Sequence, residues 1–138
     1  MHDFVAAYLL LFFGALVVSW LIQLLVGWCA YNAILPIPAE QREIEPALAF
    51  GLMVPFVGTL LNFLVLPALS RSYKRWFAAR GVTGEGDCGE NLAWWHAIVS
   101  VGAWVPCLPL AGLSAIVLQV LYLLRLRRLC RRASAPGA

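Results

Sequence analysis

Between Ala47 and Leu69 the chain carries no charged residue, and without a gap it then turns basic and aromatic. At a rise of about 1.5 Å per residue, a helix over this run crosses a hydrocarbon core of about 30 Å. Arg71, Lys74 and Arg75 stand at i, i+3 and i+4 and share one helical face, while Leu69, Tyr73, Trp76 and Phe77 share the opposite one. That segregation fits a helix leaving a bilayer and lying in the headgroup layer, rings down and cations up. The stretch sets a solvent and an orientation. It assigns no chemistry.

The other apolar stretches agree. Of 138 residues 62% are hydrophobic and 12% charged, whereas an average soluble domain is about 25% charged. One domain over 1–132, with a disordered small-residue tail at 133–138, is the expected organisation. The net charge of +3 is modest. Its cations sit at the ends of apolar segments, which points to anionic lipid headgroups, and no recognition motif supports a nucleic-acid partner.

The fold class expected is all-α, an integral membrane four-helix bundle with helices at about 4–33, 47–80, 91–105 and 110–126. Its second helix carries an interfacial amphipathic extension, and its third and fourth form a short hairpin. Met1-His2-Asp3 lacks the positive charge of a signal peptide, and the apolar run behind it is too long for one. Tyr8 and Trp28 lie about 30 Å apart along a helix and mark two interfaces. Leu35-Pro36-Ile37-Pro38 ends the first helix, and Glu40, Arg42, Glu43 and Glu45 follow as a short acidic loop. Gly51, Pro55 and Gly58 predict a kink or break in the second helix, and Pro67 a bend. Gly51, Gly58 and Asn62 fall near one stripe suited to close helix contact, as do Gly102 and Gly112 in the hairpin. Gly81 reads as a C-cap. The hinge Val105-Pro106-Cys107-Leu108-Pro109 separates two helices that are each short for a full crossing, so they span a thin bilayer or re-enter.

Charge sets the topology. With four crossings, nine of the ten Lys and Arg residues fall on one side and Arg42 alone on the other. The positive-inside rule then places both termini and the Gly84–Gly89 loop in the cytoplasm. Arg71, Lys74, Arg75, Arg80, Arg125, Arg127 and Arg128 become the candidate lipid-headgroup residues.

Several motifs resemble a known family. They are Leu52-Met53-Val54-Pro55-Phe56, Asn62-Phe63, the segment Leu69 to Ser72, Phe77, Arg80-Gly81, Gly86-Asp87-Cys88-Gly89, and Val120-Leu121-Tyr122. The pattern, over about Ile34 to Leu129, is similar to small bacterial integral membrane proteins grouped as a domain of unknown function. It departs at Leu123, where the family pattern has tryptophan. The resemblance implies a fold and a bacterial inner-membrane address, and no activity.

Chemistry is sparse. Gly84-Glu85-Gly86-Asp87-Cys88-Gly89 matches G-x-G-x-x-G, but it follows a helix rather than a strand and is no dinucleotide site. The four cysteines form no C-x-x-C pair, so zinc and redox signatures are absent. Cys130, among arginines, suits either an inert thiol or acylation. His96 is the one other ionisable group within an apolar stretch. Beside Trp94 and Trp95 it reads as an interfacial ring, with a cofactor ligand as the sharper alternative. No cofactor, no metal and no enzymatic activity are expected. The leading function is a non-catalytic accessory, scaffold or assembly subunit that docks against another membrane protein or itself. The alternative is an oligomeric channel or transporter for ions or small solutes, lined by Gln23, Asn62, Ser100 or Gln119.

Overall fold

A run of about thirty residues without an interior charge or proline has one way to satisfy its backbone without water, and it forms a single helix, α1, His2–Ile34. The computed structural model describes residues 2–54, 56–82, 85–102 and 109–133. Pro55, Gly84, hinge residues 105–108 and tail residues 134–138 lie outside the described residues. Pro36 and Pro38 stop α1, and Arg42 covers the exposed carbonyls just past its end. Its Nε donates to the Ile37 carbonyl at 2.6 Å and its second guanidinium nitrogen to that of Leu35 at 2.9 Å. After a 3-10 turn, Ala39–Gln41, come α2, Leu48–Gly51, then α3, Val57–Ala79, α4, Glu90–Gly102, and α5, Pro109–Ala133. The described residues are helix and loop, with no strand.

The second expected helix, 47–80, is two pieces. The segment between α1 and α3 doubles back along α1, with the Tyr31 and Phe50 rings 4.7 Å apart and the Trp20 indole donating to the Met53 carbonyl at 3.1 Å. Two glycines permit this. A Cβ on Gly27 would stand 2.7 Å from Met53 Cγ and 3.0 Å from the Ala49 carbonyl, and one on Gly58 only 2.2 Å from the Leu52 carbonyl. Phe56 opens α3 at φ 62, ψ −54, in the rare γ-turn region, and the Gly58 N–H closes the turn on the Val54 carbonyl at 2.7 Å.

The return segment changes the topology. Gln23 donates to Asn62 at 3.3 Å and the Tyr73 hydroxyl to the Ala33 carbonyl at 2.8 Å, so α1 and α3 run parallel. Helix α4 runs back against α3, with Phe63 and Trp94 6.1 Å apart and Arg71 meeting Glu90 at 3.2 Å. Helix α5 is parallel to α3 again: Tyr122 donates to the Leu66 carbonyl at 2.9 Å and Arg80 to that of Ala133 at 3.2 Å. His2 and Ala133 therefore lie at opposite ends, which overturns the expectation that both termini share one side. The expectation missed the doubled-back segment, which inverts every later element.

Core packing concentrates at one end. Ile34, Ile37, Leu66, Leu69, Tyr73, Trp76, Phe77, Tyr122, Leu126 and Leu129 are all buried there. The rings of Tyr73, Trp76 and Phe77, expected in the headgroup layer, are at most 5% exposed. That face of α3 is covered by protein, the Tyr73 hydroxyl meeting the Ala33 carbonyl of α1 and Cys130 of α5. Gly81 (φ 69) ends α3 in a Schellman motif, its N–H bonding the Ala78 carbonyl and that of Val82 the Phe77 carbonyl. Helix α5 outlasts its expected end at 126, because its arginines are good helix formers and Arg132 reaches Glu85.

Candidate functional site: a charged cap on an apolar body

The chain direction of each helix brings every charged residue except Asp3 to one end. The polar loop after α1, the last turns of α3 and α5, and the loop before α4 make up this cap. Glu43 is its hub. Its carboxylate takes Arg71 Nε at 2.5 Å and an Arg75 guanidinium nitrogen at 2.8 Å, and its own N–H donates to Ser72 Oγ at 2.9 Å. Arg71 also reaches Glu90 at 3.2 Å. Arg80 lies 4.5 Å over the Trp76 ring, and Arg125 donates to the Glu85 carbonyl at 3.0 Å.

Of the seven candidate headgroup residues, then, Arg71 and Arg75 are engaged by acids and Arg80 and Arg125 by a ring and by carbonyls. Lys74, Arg127 and Arg128, with Arg131, form no ion pair among the described residues. The loop before α4 is held by Asp87, whose carboxylate accepts the N–H groups of Gly89 at 3.1 Å and Asn91 at 3.0 Å. These bonds, that from Asn91 first, hold its carboxyl below the usual range. Gly86 and Gly89 have positive φ, and a Cβ on Gly89 would press within 3.3 Å of Arg125. Gly86 and Gly89 of the G-x-G-x-x-G match thus serve a turn and a close helix approach.

Below the cap the body is apolar outside and holds a few polar groups inside. Leu60, Leu64, Trp95, Leu113 and Val117 are exposed. His96 is 2% exposed, its Nδ1 3.3 Å from the Ala115 carbonyl and its Nε2 3.4 Å from Ser100 Oγ. This corrects the interfacial placement: Trp94 and Trp95 take the outer face of α4, leaving His96 with Ala93 and Ala97 on the inner one. No group of three or more metal-ligating side chains occurs among the described residues. Of the packing residues, Gly51 and Gly58 meet Leu61 and Leu52 at close range, and Asn62 bonds Gln23. Among the described residues nothing lies within 4 Å of a Cβ on Gly112. Gly27 was not singled out by the sequence, and Arg42 and Glu43 were read only as members of a loop, with no role in binding or packing. The signal available for Glu43 was an acidic loop close in size to the basic face it neutralises.

Helix α1 alone among the described helices is long and apolar enough to cross a membrane: Phe4–Ile34, mean hydropathy 2.5, with 6% of its most apolar window buried. The expected set of four crossings is not supported. Comparison with family models, curated proteins and solved structures gives no match.

Proposed function

We propose that the chain is a non-catalytic membrane subunit, anchored by α1, with its cap on the cytoplasmic face and the first half of α1 free to dock against another membrane protein. One observation carries this reading. All ten Lys and Arg residues gather at one end of a body whose remaining surface is apolar. A soluble chain would not leave that surface to water, and the positive-inside rule orients the cap. Helix α1 is about 50 Å long and crosses fully, whereas α4 reaches only about 20 Å and, with α5, re-enters from the cytoplasmic side. The return segment does likewise, its irregular backbone screened by α1 and α3. Of the four polar groups that a channel would use, Gln23 and Asn62 bond each other and Ser100 Oγ lies 3.4 Å from His96 Nε2.

In a cysteine-free background, an impermeant thiol reagent is expected to label His2→Cys in intact cells and Lys74→Cys only in opened vesicles. Labelling of both positions from the same side would sink the single-crossing topology. A photo-crosslinker at Leu10 is expected to trap a membrane protein, whereas one at Leu64 gives lipid adducts. Equal yields at the two positions would remove the docking role of α1.

A further inference from the structure

Beside the cap, α1 and α5 pack with a trough of about 570 Å³ between them, lined by Trp28, Cys29, Val120, Leu123 and Leu124, with Arg127 at its border. The volume lies within the range of small-molecule sites, roughly 300–1,000 Å³. Its shape follows from the sequence of α5. Val120, Leu124, Arg127 and Arg131 recur at i, i+4, i+7 and i+11, so one helical face passes from apolar to doubly cationic within three turns. Arg127 and Arg131 make no ion pair among the described residues, although Arg132 on the next position has Glu85. A largely apolar trough bordered by the unpaired Arg127, with Arg131 one turn further along the same helical face, is complementary to an acyl chain that ends in a phosphate.

We propose that this trough is a binding site for one anionic phospholipid, an acyl chain lying between α1 and α5 and its phosphate held by Arg127, with Arg131 one turn above. The inference rests on the membrane reading, since only there does the trough open onto lipid at the height of the headgroups. Basic pockets between membrane helices on the cytoplasmic side hold headgroups by the same physics. The thiols of Cys29 and Cys130 line the trough and report on its occupancy.

The test uses the whole chain in mild detergent, titrated with phosphatidylglycerol or phosphatidylcholine and released intact in a mass spectrometer. Wild type is expected to retain one phosphatidylglycerol about tenfold better than phosphatidylcholine. Arg127→Gln is expected to abolish the preference, and Leu123→Trp, which fills the trough, to abolish retention of both. Equal retention of the two lipids by wild type overturns the proposal, as does full retention by Leu123→Trp. A second readout needs no variant: phosphatidylglycerol should slow N-ethylmaleimide modification of Cys29, and an unchanged rate counts against the site. Alkaline washing of membranes separates the two levels. Protein released by the wash defeats the membrane reading, whereas protein kept in the pellet without lipid selectivity defeats only the trough.

Discussion

The two halves of α1 share a composition and meet opposite fates. Both are free of charge beyond Asp3, yet Phe4, Leu10 and Leu11 are at least 72% exposed while Val26, Ala30, Ala33 and Ile34 are at most 2%. Hydropathy does not separate them. What separates them is the return segment: Val26, Gly27, Ala30 and Ala33 recur at helical spacing, and Met53 and the Ala49 carbonyl come against Gly27. The first half also carries small residues, Ala6, Ala7, Gly14 and Ala15, but among the described residues nothing stands within 4 Å of a Cβ on Gly14. Among apolar surroundings a helix gains little by burying large side chains against another, so small residues permit packing only where another segment reaches them.

The sharpest break of that comparison is at Gly58, where space is tightest. Gly58→Leu forces a side chain into the Leu52 carbonyl, 2.2 Å from an added Cβ. A loss of about 3 kcal/mol or more is expected, because backbone has to move. Leu60→Ala, at a site 67% exposed, should cost about 0.5 kcal/mol or less. Thermal unfolding in one mild detergent compares them, and equal midpoints would show that the return segment does not hold α3.

The two glycines of α1 test its halves directly. Gly27→Ala places a Cβ 2.7 Å from Met53 and is expected to destabilise by about 1–2 kcal/mol. Gly14→Ala meets nothing within 4 Å and should stabilise by about 0.5–1 kcal/mol through helix propensity alone. Opposite signs sharpen the distinction. A loss at Gly14 would mean that the first half also packs against something in the purified protein.

Much of this was legible. The proline pair after α1 and the Gly81 cap are local signals, and local physics carried them into the structure, whereas the expected stripe is divided, with Gly51 in α2 and Gly58 and Asn62 in α3. The arrangement of the helices was not legible, because a return segment and a crossing helix can share one composition. Once 35–56 doubles back, Arg42 joins the other cations and the N-terminus moves to the far end. The aromatic face of Tyr73, Trp76 and Phe77 shows a related limit. Periodicity identifies an apolar face, but lipid and protein satisfy it equally. Glu43 emerged only from three dimensions, since its partners are 28 and 32 positions away.

At the cap the comparison turns from packing to charge. Glu43→Gln leaves Arg71 with Glu90 alone and Arg75 with no acid. Because Arg71 and Arg75 side chains are 40% and 61% exposed, solvent screens them, and a loss of about 1 kcal/mol is expected. Raising the salt concentration should shrink that gap between wild type and variant. A gap insensitive to salt would instead trace the loss to the hydrogen-bond geometry.

The smallest effect belongs to Asp87, and its sign is fixed by the lowered carboxyl value. Amide donors from Asn91 and Gly89 favour the ionised form in the folded protein, with Arg125 adding to them. A folded value below the unfolded one, about 3.9, gives stability that is fully present above the unfolded value. It is lost as pH falls through the folded value. Asp87→Asn keeps an acceptor oxygen for the amide groups but removes the charge at the start of α4, so a loss of about 0.3–1 kcal/mol is expected at neutral pH. In strong acid the wild-type carboxyl is protonated, and the two proteins should unfold together. Paired melting curves at neutral and strongly acidic pH decide the matter, and a gap that stays constant across them would assign the effect to shape rather than charge.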